Sequence, residues 1–325
     1  MKISRALLGI LLITVFLLPP AVATDRPSHA WHDLKETFAG EWEHMDDLEN
    51  YDAVIVLRPQ TAAAWTGRGD ALLWFEEYPE ALAAYNRSLA LDPRSATAWS
   101  GKGFTLCQLH RYDESLESFN RSLALDPSDA KAWRGKGWSL IRAGRDNQSA
   151  PMFEAALALD PRSAEAWEGL AWAAMWSGEN AKTGLAACNR AVAADPQYAK
   201  GYYCRAMALM MLNAPAAEQQ AEIYRAIAID PGYVDGWMGL GFTSKPAGFG
   251  PEMRAYDHAI LFDPKSPRGW QGKADLYDWV DMKAEAYDAI RHAYRLDEDL
   301  PSIHDKIAVM NAKYGISPDI NSSAS

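Results

Sequence analysis

Apolar residues in this chain recur at steps of four and three, pause for a polar stretch, and then recur in the same steps. The whole pattern repeats about every 34 residues. With the proline of each block counted as position 32, the apolar and small residues fall at positions 4, 8 and 11, and again at 20, 24 and 27. Steps of four and three put side chains on one face of an α-helix, so each block predicts two amphipathic helices joined by a turn. Position 4 is Trp65, Trp99, Trp133, Trp167, Tyr202, Trp237 and Trp270. Position 8 is Gly69, Gly103, Gly137, Ala171, Ala206, Gly241 and Ala274, and position 24 is Tyr85, Phe119, Phe153, Cys188, Ile223, Tyr256 and Ile290. From Pro59 to Pro264 the prolines are spaced 34, 34, 34, 35, 35 and 33 residues. Each proline stops a second helix, and Ser95, Asp129, Ser163 and Ser266 stand where the next first helix needs an N-cap.

A period of this size means helix pairs stacked in a row, each repeat leaning on its neighbours. The motif W-x3-G-x2-L … A/S-x3-Y/F-x2-A/S-x4-P resembles the tetratricopeptide repeat, in seven in-register copies from residue 62 to about 300. The resemblance implies an all-α, right-handed superhelical solenoid of helix-turn-helix repeats. A degenerate copy precedes it at 28–61, with Trp31, Phe38, Tyr51 and Val54 in register. Residues 301–313 read as a capping helix, and the Ser/Asn-rich 314–325 as a disordered tail. Repeat six departs from the pattern. Between Thr243 and Pro251 it carries two prolines and two glycines, which predicts a distinct loop.

The N-terminus changes where this solenoid is expected to work. Lys2 and Arg5 precede an apolar run from Ala6 to Leu18, then Pro19-Pro20 and the small-x-small triplet Ala21-Val22-Ala23. This is the layout of an export signal over residues 1–23, with an uncleaved anchor as the alternative. The mature chain is therefore expected outside the cytoplasm, whether secreted, periplasmic or at the cell surface. The net charge is −11, and removing residues 1–23 leaves −13, the wrong sign for a nucleic-acid binder. Of the three cysteines, Cys107, Cys188 and Cys204, none has metal-site spacing. They read as small buried apolar residues, and a Cys188–Cys204 bond between successive helices is the alternative.

The family resemblance further implies that positions 2, 5, 9, 12 and 13 of each first helix line the concave surface. Of the six tryptophans not at position 4, five fall on positions 9 and 13. The candidate partner-binding residues are accordingly Trp74, Phe104, Trp138, Trp172, Met175, Trp176, Met207, Met211, Phe242 and Trp279. Two readings follow. They line an apolar groove for a protein or peptide, or the position 9 rings pack into neighbouring helices as core. Exposed aromatic faces also suit a glycan, which makes a carbohydrate-binding envelope protein the alternative function. The carboxylate grip known in the family does not carry over, because position 9 has no Asn and position 6 is mostly Gly.

Other motifs add little. Gly101-Lys102-Gly103 and Gly135-Lys136-Gly137 lack the G-x4-G-K-[ST] of a phosphate loop. His29, His32 and Glu36 share a helix face, with His44 nearby, but no HExxH or cysteine supports a metal site. Sequons occur at Asn86, Asn120, Asn147 and Asn321, the first two inside predicted helices. No nucleophile–base pair or cofactor loop emerges. The expectation is an exported, non-catalytic scaffold that takes no cofactor, binds a protein or peptide, and meets a membrane only if the N-terminal segment is retained.

Overall fold

The computed structural model describes residues 39–177, 180–243, 249–297 and 301–314. The signal segment, Trp31, the His29–His32–Glu36 cluster and Asn321 lie outside the described residues. The chain falls into two compact units, residues 1–177 and 178–325. Unit 1 contains α1 (Ala39–Leu57), α2 (Ala62–Trp74), α3 (Tyr78–Leu91), α4 (Ala96–Gln108), α5 (Tyr112–Leu125), α6 (Ala130–Arg142), α7 (Ala150–Leu159) and α8 (Ala164–Trp176). Unit 2 contains α9 (Ala181–Ala194), α10 (Ala199–Met211), α11 (Ala216–Ile229), α12 (Val234–Thr243), α13 (Phe249–Phe262), α14 (Pro267–Trp279), α15 (Lys283–Leu296) and α16 (Pro301–Tyr314). The described residues form no strand.

Within each unit a second helix packs on the first helix of its own repeat and on that of the next. First helices also touch first helices: α2, α4, α6 and α8 in unit 1, and α10, α12 and α14 in unit 2. They therefore share a continuous inner face in each unit. The four expected N-caps are formed. The Ser95, Asp129 and Ser163 side chains accept from the backbone N–H three residues on, and Ser266 from that of Arg268.

The core is built on an aromatic wedge. Tyr85, Phe119 and Phe153 are fully buried and Tyr256 nearly so. Each ring sits between two glycines, position 8 of its own first helix and position 6 of the next: Tyr85 between Gly69 and Gly101, Phe119 between Gly103 and Gly135, Phe153 between Gly137 and Gly169, and Tyr256 between Gly241 and Gly272. A Cβ at any of these glycines would fall within 3.0 Å of the ring. Where position 8 is alanine, position 24 is not aromatic: Ala206 goes with Ile223, Ala274 with Ile290, and Ala171 with Cys188.

The position 4 tryptophans are half-buried, not fully covered as a pure packing role requires. The reason is polar. The indole Nε1 of Trp65, Trp99, Trp133, Trp167 and Trp237 donates to the carbonyl of the proline six residues before it, at 2.8–3.0 Å. The Tyr202 hydroxyl makes the same bond to Pro196 at 3.2 Å. The recurring aromatic–proline pair thus ties the first helices α2, α4, α6, α8, α10 and α12 to the turns that precede them. Cys188 and Cys204 form a disulfide, the alternative pairing, and Cys107 is a free, buried thiol.

Two local features differ from the sequence expectation. In repeat six, α12 ends at Thr243 but α13 already begins at Phe249, so Phe249-Gly250-Pro251 is helix and not loop. Proline is tolerated in a first turn, where its missing N–H has no helical partner. The turn inside a repeat also has a signature not visible as a residue type. Glu76, His110, Gly144, Asn213 and Asp281, all at position 15, have φ between 54° and 69°. This left-handed residue ends the first helix and frees the chain to reverse.

Three outcomes are expected. Alanine is the better helix former by about 1 kcal/mol, yet Gly103→Ala should destabilise by about 1–3 kcal/mol because its methyl meets the Phe119 ring. The Gly103→Ala/Phe119→Ile double variant should recover part of that, and a double-mutant cycle of thermal melts reads the coupling. Trp133→Phe keeps the ring but loses the bond to Pro127, and chemical denaturation should register a loss of about 0.5–1.5 kcal/mol. Glu76→Gly relieves left-handed strain at an exposed position, and its melting temperature should rise, consistent with a gain of about 0.5–1 kcal/mol.

Candidate functional site

The first helices carry the candidate residues on the face their register predicts, with unequal exposure. In unit 1, Phe104 meets Phe119 edge-on at 5.0 Å, and Trp138 meets Phe153 at 5.5 Å. Both are half-buried. These two position 9 rings thus lean one edge on the wedge of their own repeat and leave part of their surface accessible. Trp74 packs against the first core cluster, edge-on to Phe75. Trp172 donates its indole N–H to the buried Glu168 carboxylate at 3.1 Å and lies 5.1 Å from Trp176, which is 54% exposed. Met175 is 4% exposed and belongs to the core. It sits one residue off the face that Trp172 and Trp176 share, so its side chain turns inward and does not line a surface.

In unit 2 the same face closes into a cleft of about 330 Å³. Its floor comes from Tyr203, Met207 and Met210 of α10 and from Met238 and Phe242 of α12, and its far wall from Arg268, Gln271 and Asp275 of α14. These are positions 2, 5, 9 and 12 of three consecutive first helices. Gly239 and Gly272, at position 6, line the cleft without filling it. Of the ten candidates, Met207 and Phe242 line this cleft. Met211 and Trp279 lie on the surface at 45% and 61% exposure.

The polar wall is held from behind. Arg268 pairs with Asp235, and Asp275 with Lys306 of the terminal helix α16. Burial, reinforced by the nearby Asp235 carboxylate, pushes the Tyr203 phenol up to about 12, so at neutral pH it is an uncharged hydroxyl. Three methionines and an exposed phenylalanine make an adaptable apolar seat. The paired charges and the Gln271 amide at its edge suit an extended backbone better than a free ion. Among the described residues no group of His, Cys, Asp and Glu is placed to hold a metal, and no helix is long and apolar enough to cross a membrane.

Tyr203, Met238 and Gln271 escaped the sequence reading although they stand at position 5, one of the expected concave positions. Read down the repeats, position 5 is Thr66, Ser100, Arg134, Glu168, Tyr203, Met238 and Gln271. The change from polar residues to Tyr and Met in repeats five and six is the signal that the sequence carries.

One family model described as tetratricopeptide repeat matches residues 48–103 and 139–199, and a second such model matches residues 96–129. No curated protein matches the sequence. Among solved structures, a chain of the APC/C hetero-tetramer Cut9-Hcn1 is similar with a TM-score of 0.62 at 13% identity, over 82% of this chain and 52% of that one. This chain therefore spans about half the length of that relative. PilW, described as a widely conserved type IV pilus biogenesis factor, is similar with a TM-score of 0.54 at 21% identity, over 64% of this chain and 96% of that one. At these identities the likeness is one of fold. Helix pairs in register, glycine-bracketed rings and the matching family models lead to one conclusion: the chain is a tetratricopeptide repeat protein.

Proposed function

We propose that this protein is an exported scaffold that holds an extended, largely apolar segment of a partner protein against the inner face of its first helices. The unit 2 cleft is the principal seat. Tetratricopeptide repeats as a class are protein-interaction scaffolds, and that much follows from the family. The observation that carries the finer reading is the cleft itself, drawn from one register on three consecutive first helices. A floor of Met207, Met210, Met238 and Phe242 takes apolar side chains of varied shape. In unit 1, Trp176 with Trp172 offers a second apolar contact. Export is supported by the pattern of residues 1–23 and by the bonded Cys188–Cys204 pair, since disulfides persist in oxidising compartments.

The test is affinity capture with the full exported chain, with partners identified by mass spectrometry, followed by titration of the captured protein. Phe242→Ala and Met238→Ala together should weaken binding by roughly 30-fold or more, the loss of a binding hot spot, with helicity unchanged by circular dichroism. Trp176→Ala reports separately on unit 1. Affinity unaltered by the Phe242/Met238 pair would remove the cleft from the reading. N-terminal sequencing of the exported chain should begin after Ala23.

A further inference from the structure

The disulfide occupies a place in the repeat that belongs elsewhere to the aromatic wedge. Position 24 carries the wedging ring in repeats one, two, three and six, and the glycine at position 6 of the next repeat receives it. In repeat four, position 24 is Cys188, and position 6 of the next first helix is Cys204. Ring and glycine have both been replaced, and the two replacements are bonded to each other, with Cα atoms 5.8 Å apart. A single cysteine at either place would leave a defect. Cys188 alone is too small to fill the space of a Tyr or Phe, and a side chain at position 6 would obstruct a ring. Only the pair makes a joint.

We propose that the Cys188–Cys204 bond is a redox-dependent joint that stands in for the aromatic wedge and sets the order of the α10 side of the cleft floor. The bond ties α9 to α10, and α10 carries Tyr203, Met207 and Met210 of the cleft. Both cysteines are fully buried. A reductant therefore reaches them only when α9 and α10 separate locally, which makes the closed joint slow to reduce. On reduction by a dithiol, two electrons and two protons pass to the Cys188 and Cys204 sulfurs. The S–S bond breaks, two thiols form, and the reagent leaves as its own disulfide. Closure is the reverse exchange, with an external disulfide as oxidant. In the open state the joint holds two small thiols where the other repeats hold a ring. Nearest-neighbour coupling then makes it the weak point of unit 2.

The test uses the full chain purified under oxidising conditions. Alkylation and mass spectrometry should find one reactive thiol after denaturation, Cys107, and three after reduction. Reduction with dithiothreitol should lower the melting temperature by about 5–10 °C. It should also speed hydrogen exchange across residues 199–211 by about tenfold or more. Cys204→Ser should behave like the reduced protein with or without reductant. Cys188→Ile/Cys204→Gly copies the joint of repeat five, Ile223 against Gly239, and should be insensitive to reductant. Three thiols in the oxidised protein would overturn the proposal. So would a melt and an exchange profile that reduction leaves unchanged, or a Cys204→Ser protein that melts like the oxidised chain.

Discussion

A ring held between two glycines sets the spacing of this molecule. The ring from a second helix enters the gap between its own first helix and the next, and neither backbone offers a Cβ to keep it out. Burying an aromatic side chain contributes about 1.5–3 kcal/mol or more relative to exposure, against about 1 kcal/mol of helix propensity lost at each glycine. The exchange roughly breaks even or favours the ring, and it recurs at each wedge. The position 9 rings then have a partner to lean on: Phe104 on Phe119 and Trp138 on Phe153. The inner surface is thus an outgrowth of the core, which explains why its aromatics are half-buried.

Polar ties finish what packing begins. The indole N–H of a position 4 tryptophan takes up a proline carbonyl at the end of the preceding helix, a group that no further helical turn can satisfy. At the C-terminal end, Lys306 and Lys313 of α16 reach Asp275 and Asp278 of α14, while Ile303, Ile307 and Met310 cover Ala274 and Ile290. An open solenoid end exposes core, and this helix closes it. One of those ion pairs fixes the far wall of the cleft, so the cap and the candidate site share a carboxylate in Asp275.

The variation among repeats carries the individuality of the chain. Where a ring would stand, repeat five has Ile223 and repeat four has Cys188. Isoleucine leaves room beside Gly239, and Tyr203 fills part of it, coming within 3.0 Å of where a Cβ would be. The cleft runs from Gly239 at this less tightly wedged joint to the tight wedge of repeat six, whose Tyr256 and Gly272 also line it. Methionines gather there because an unbranched thioether adapts to a gap that a rigid ring does not fill.

The sequence by itself determined the helix count between residues 62 and 296, the register of the repeats, the N-caps and the family resemblance. All of these depend on residues close along the chain, and a repeated spacing reports local geometry directly. It also held the covariation of Gly with aromatic and Ala with Ile at positions 8 and 24, although its meaning needs two helices in contact. Tertiary structure alone decided the rest. Trp133 and its equivalents are half-buried because an N–H must reach a carbonyl, and Met175 turns inward while its neighbour Trp176 turns out. The two cysteines are bonded because α9 and α10 bring them to one place, and Met207 and Phe242 share a cleft that Met211 and Trp279 do not enter. Each of these outcomes depends on how the chain turns back or packs helix on helix, from a separation of 6 residues between Trp133 and Pro127 to 16 between the two cysteines, and residue types read along the chain do not set that geometry.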